Sequence, residues 1–197
     1  MAEWIEIFDG KSLDGWAMTG NPGGWEVSDG TIFCNGTDGG YLYTERKDFQ
    51  NFELSLGFKH DEGANSGVFF RWTDLDDPVQ TGIEIQIMDT HGRDPATVKC
   101  CGAMYDCQAP VRNTCKAPGE WNTFVLTADR TRISVVMNDE LTIEADLSQW
   151  SEAGANPDGT PNKFKRPFRE MLEAGHIGFQ GDHKGVIWFR DVKSRNL

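Results

Sequence analysis

The segment GIEIQIMD, residues 82–89, sets a carboxylate and an amide among isoleucines at strict alternation. With a side-chain period of two, Ile83, Ile85 and Ile87 face one way and Glu84 and Gln86 the other. SGVFFRW (66–72) alternates likewise: with Val68 and Phe70 directed to the core, Arg71 falls on the side of Glu84 and Gln86. HIGFQG (176–181) directs Ile177 and Phe179 inward and Gln180 outward, and His183 follows its end. The reading gathers Arg71, Glu84, Gln86 and Gln180 on one concave sheet face. Such a set supports proton transfer beside a developing oxyanion. Glu84, His183 and Asp89 are the groups there able to take or give a proton. Arg71 or a bound divalent metal stabilises the negative charge. Gln86 orients a hydroxyl.

The elements that must hold these groups are short and extended. Candidate strands are residues 4–8, 24–34, 41–45, 52–60, 66–72, 82–89, 121–129, 132–138, 141–147, 176–181 and 186–195, separated by Gly, Asn, Asp and Pro. SDG (28–30) and MNDE (137–140) carry hairpin-turn chemistry. PFREMLEAG (167–175) is the best helix candidate, with Pro167 near its start and Gly175 as C-cap. Many short strands at close spacing predict an all-β antiparallel sandwich rather than βαβ units. No internal repeat argues for a propeller or solenoid. Residues 151–167 read as a surface loop. The long irregular stretch 89–120 requires either a site or covalent bracing.

Acidic residues outnumber basic ones 31 to 19, a formal charge of −12. Such a surface repels phosphate backbones and anionic membranes, so nucleic acid and membrane insertion are not expected. The length suits one domain over 1–197. No apolar run reaches transmembrane length, and the start MAEWIEIFDG lacks a signal-peptide pattern. Of the five cysteines, Cys100, Cys101, Cys107 and Cys115 fall close together without zinc-ligand spacing. A local disulfide, such as Cys107 with Cys115, would brace that loop and fit an oxidising compartment. The acidic loop TDLDDP (73–78) offers oxygens for calcium or another divalent metal, and equally reads as a solvated turn. There is no G-x-S-x-G elbow, Walker loop or dinucleotide fingerprint.

Several segments together resemble the 3-keto-disaccharide hydrolase family. They are FDGKSLDGW (8–16), GWEVSDGTI (24–32), NFELSLGF (51–58), ANSGVFFR (64–71), GIEIQIMD (82–89), AMYD (103–106) with AP (109–110), KAPGEWNT (116–123) and IGFQGDH (177–183). They run in the family's order over nearly the whole chain. The cysteine-rich insert at 100–115, and Ile83 where members more often carry an aromatic, depart from the pattern. The resemblance implies a concanavalin A-like jelly roll, usually exported to the periplasm or beyond, acting on carbohydrate; the helix read at 167–175 is its one short helix. The reaction it implies is cleavage of glycosides already oxidised to a ketone at the sugar's 3-position.

On that reading Asn65, Tyr105, Arg71, Gln86 and Gln180 contact the sugar, and Glu84, His183 and Asp89 move protons. Each has a plainer role: Glu84 and Gln86 as a solvated sheet face, and Arg71 as a cross-strand partner of Glu84 contributing roughly 0.2–1 kcal/mol. His183 reads equally as an exposed loop residue, Asn65 as a turn cap, Trp72 and Tyr105 as packing, and Trp121 and Asn122 as anchors of core and turn. The rival to catalysis is a carbohydrate-binding, lectin-like or interaction module on the same fold. The oligomeric state is left open.

Overall fold

A computed structural model describes residues 2–36 and 39–197. Thirteen strands build two antiparallel sheets: β1 (Ile5–Glu6), β2 (Trp16–Met18), β3 (Trp25–Ser28), β4 (Thr31–Cys34), β5 (Tyr41–Thr44), β6 (Phe52–His60), β7 (Asn65–Trp72), β8 (Ile83–Met88), β9 (Asn122–Asp129), β10 (Arg132–Met137), β11 (Glu140–Asp146), β12 (His176–Gln180) and β13 (Ile187–Asn196). The larger sheet runs β11-β10-β9-β6-β13-β4-β3 with β1 beside β13, and the smaller runs β2-β5-β12-β7-β8. The all-β jelly-roll expectation holds. Both hairpin signals form tight turns with consecutive positive φ angles, 50° and 75° at Asp29 and Gly30, and 52° and 66° at Asn138 and Asp139.

Alternation explains the core. Phe52, Leu54, Leu56 and Phe58 of β6 face Val68, Phe70, Ile83, Ile85, Ile87 and Ile177 from the other sheet, all buried in one cluster. Phe179 and Phe189 stack across the sandwich with centroids 4.0 Å apart. On the outer face of the smaller sheet, a separate aromatic cluster joins Tyr41, Phe69 and Trp72.

Two local expectations need correction. The segment 167–175 forms only a 3-10 turn at Phe168–Glu170. The α-helix is instead α1 (Pro78–Thr81), where Asp77 caps the Gln80 amide and Pro78 occupies the first turn. The expected disulfide is also not formed: all five cysteines are free and buried. Residues 100–108 are braced by hydrogen bonds to the edge of β8, with Gln86 N donating to Ala103 O at 2.9 Å and Tyr105 N to Glu84 O at 3.0 Å. Cys115 Sγ lies 3.3 Å from His60 Nε2. The Cys101 thiol and His60 hold the Cys115 thiol below its ordinary pKa.

Candidate active site

On β8, pairing with β7 sets Glu84 opposite Phe69 and Gln86 opposite Gly67. Glycine at 67 is a spatial requirement: a Cβ there would lie 2.3 Å from Glu84 Oε1. The carboxyl group therefore lies flat over the β7 backbone. Gln86 holds it from the side. In the amide orientation that satisfies both neighbours, Gln86 Nε2 donates to Glu84 Oε1 at 3.0 Å and to Ser66 O at 3.1 Å. Next along the sheet, Ser66 Oγ donates to Gln180 O at 2.7 Å, and Gln180 Nε2 donates to the Tyr41 hydroxyl at 3.0 Å.

Glu84, Gln86, Gln180 and Tyr41 floor a cavity of about 300 Å³ that is also lined by Asn65, Val79, Tyr105, Lys163, Asp182 and His183. Glu84 is only 7% exposed. Burial raises its pKa from 4.5 to about 8; Lys163 works against the rise and Asp182 adds to it. Its proton is thus exchangeable near neutrality, as acid–base chemistry requires. Burial likewise pushes the Tyr41 phenol up. Burial and the nearby Glu84 raise Tyr105. At the rim, Lys163 Nζ sits 4.2 Å from the Tyr105 ring centre, and Lys163 N donates to Asp106 Oδ2 at 2.9 Å. His183 Nε2 is 3.7 Å from Asp182 Oδ1.

Six of the sequence-selected residues thus meet in one cavity: Asn65, Glu84, Gln86, Tyr105, Gln180 and His183. Arg71 and Asp89 do not join them. Between Phe69 and Trp72 the register of β7 against β12 shifts, and Arg71 takes a φ of 50°. This bulge breaks the alternation that aligned Arg71 with Glu84. Arg71 is instead buried, with Nε donating to Gln50 O at 2.9 Å. Asp89 lies one residue beyond β8, where its Oδ2 accepts from Gly63 N at 2.9 Å and fixes a turn. Lys163, Asp182 and Tyr41 were missed. The signal available for Lys163 was the basic stretch KFKR inside a loop of an otherwise acidic chain.

Among the described residues, no group of three or more His, Cys, Asp or Glu side chains converges as metal ligands. In the acidic loop, Asp74 Oδ1 accepts from Asp76 N and Asp77 Oδ1 from Gln80 N. Those carboxylates cap local turns, the plainer of the two roles read from the sequence.

Residues 3–195 match the family model for a 3-keto-alpha-glucoside-1,2-lyase-like domain. The chain belongs to that family. It is 29% identical to the 3-keto-disaccharide hydrolase of Bacteroides thetaiotaomicron, over 98% of this chain and 78% of that protein. Among solved structures, a Parabacteroides distasonis protein provisionally assigned as a glycosyl hydrolase superposes with a TM-score of 0.89. That pair shares 35% identity, covering 99% of this chain and all of the other. A Bacillus subtilis protein with a galectin-like fold has a TM-score of 0.61 at 13% identity, over 93% of this chain and 90% of its own, which is a likeness of fold alone.

Proposed function

We propose that this chain is a carbohydrate-active enzyme that cleaves 3-keto-glycosides by elimination across C1 and C2 of the oxidised sugar. The observation that carries this reading is the carboxyl group of Glu84, buried at the cavity floor between Gly67 and the Gln86 amide with a pKa of about 8. A ketone at C3 acidifies the C2 proton, because the resulting charge delocalises onto the ketone oxygen. Ionised Glu84 takes that proton. The C2–H electron pair forms the C1–C2 double bond, and the C1–oxygen bond breaks. His183 at the rim protonates the departing oxygen. Lys163 stabilises the enolate during the step; it acts from the rim, since Arg71 is turned away. Water addition to the unsaturated product then gives the products of hydrolysis. Family membership and the named Bacteroides relative support the substrate class.

The test is to incubate wild type and Glu84→Gln with 3-keto-trehalose or a chromogenic 3-keto-glucoside, with and without chelator. Wild type is expected to release the leaving group regardless of chelator, and the variant to be slower by about 10²–10⁴-fold. Equal release by both removes Glu84 from the reaction. Sugar binding without turnover by either protein supports the binding-module reading instead.

A further inference from the structure

The solvent face of the larger sheet is unusual for an antiparallel sheet, whose outward positions are ordinarily polar. Trp188 of β13 pairs with Phe33 of β4 on one side and with Lys59 of β6 on the other. Trp121, directly before β9, continues the row, with Lys59 Nζ 5.3 Å from its ring centre and 4.3 Å from that of Trp188. One step along β13, Arg190 stacks its guanidinium 3.9 Å from the Trp121 centre. Gly57, its strand partner, leaves the room: a Cβ there would meet Arg190 Cγ at 3.3 Å. All five side chains of the row and stack remain half-exposed.

The row flanks open space. A depression of about 420 Å³ is lined by Ser28, Asp29, Thr31, Phe33, Lys59 and Trp188. A second, of about 220 Å³, is lined by Ser55, Gly57, Thr123, Asp191 and Lys193. Both share Trp121 and Arg190. Arg190 Nε is buried without a hydrogen-bond acceptor among the described residues, and the Asp191 carboxylate 3.4 Å away is out of line.

We propose that this trough is a second carbohydrate-binding site, distinct from the cavity at Glu84, and that it takes an oligosaccharide bearing carboxylates, such as a polyuronate. The indole surface that Lys59 and Arg190 leave open accepts the C–H faces of sugar rings, while the two cations beside it reach the ring's oxygens and carboxylates. The row spans three inter-strand spacings, ~14 Å, so it suits several linked sugars rather than one ring. Charge selects the ligand. Lys59 and Arg190 stand directly against the two indoles, while the carboxylates of Glu26, which pairs with Phe33, and of Asp29 and Asp191 flank them. The site would tether the protein to an acidic polysaccharide while the other sheet works on its own substrate.

Isothermal titration with tetragalacturonate at low salt tests this, with cellotetraose as the neutral comparison. Wild type is expected to bind the acidic ligand, with cellotetraose at least about 5-fold weaker and added salt weakening the interaction. Trp188→Ala and Lys59→Ala are each expected to weaken binding about 10-fold, and Glu84→Gln to leave it within about twofold. Lys59→Ala removes only a half-exposed amine, so it carries the test if Trp188→Ala does not fold. Absence of binding at millimolar ligand, equal affinity for cellotetraose, unchanged affinity in the Lys59 variant, or loss of binding in Glu84→Gln each overturns the proposal. The readout is binding rather than turnover, so it is independent of the reaction assigned to the other cavity.

Discussion

At the scale of single residues, the chemistry rests on how Glu84 is held. Its Oε1 occupies space that any side chain at 67 would claim. Gly67 has an ordinary extended backbone, so Gly67→Ala alters crowding rather than strain. The variant is expected to fold, to keep KM near the wild-type value, and to lose about 10²-fold in kcat, because a displacement of about 1 Å of a catalytic group costs that much. Wild-type kcat in this variant would show that the carboxyl position is not what sets the rate. Lys163 acts on the same group by charge, holding the Glu84 pKa below where burial alone would put it. Lys163→Met is therefore expected to move the rising limb of the pH–rate profile to higher pH. Loss of its contact with the enolate should also slow turnover by about 10²–10³-fold. An unmoved limb together with a wild-type rate would remove Lys163 from the mechanism.

At the scale of elements, strand alternation was legible wherever strands are regular. The inward and outward sets of β6, β8 and β12 follow from their spelling, and that is why Glu84, Gln86 and Gln180 could be grouped before any coordinates. The bulge in β7 was not legible, because the extra residue falls in FFRW, where large side chains on both faces hide the break in alternation. The neighbourhood of Tyr105 and Lys163 was hidden for a different reason: long loops are positioned by tertiary hydrogen bonds, here to the edge of β8 for Tyr105 and to Asp106 and Gln80 for Lys163. A family resemblance could name Tyr105 but not what it would stand beside. The bulge leads to a prediction of its own. Arg71 buries Nη1 and Nη2 without partners among the described residues, and burial lowers its pKa to about 10. Replacing it by Met removes that desolvation penalty and leaves the Gln50 carbonyl without its donor. The opposing effects are each a few kcal/mol, so Arg71→Met is expected to be within about 1 kcal/mol of wild type in urea melts. Turnover should stay within about twofold. A 10²-fold loss of kcat at unchanged stability would put the guanidinium back into the reaction.

At the scale of the whole molecule, the buried carboxyl has to register in stability against pH. Its folded pKa of about 8 exceeds the ordinary 4.5, so between those values the folded state binds more protons than the unfolded state. Stability from this group is therefore fully present below about pH 4.5 and is lost as pH rises through about 8, by an amount on the order of a few kcal/mol. Other terms act across the same range. The formal charge of −12 adds self-repulsion, and the depressed Cys115 thiol beside His60 works in the opposite direction. Both are common to wild type and Glu84→Gln, so the difference between the two proteins isolates the carboxyl. Urea denaturation at pH 5, 7 and 9 is expected to show the glutamine variant gaining on wild type up to about pH 8 and levelling off beyond it. Salt should stabilise both proteins by screening exposed charges while leaving that gap nearly unchanged, because a desolvation penalty inside the sandwich is not screened by ions outside it. Parallel curves for the two proteins would mean that Glu84 titrates at an ordinary carboxylate pKa, and the base assigned to the reaction would lose the burial that tunes it.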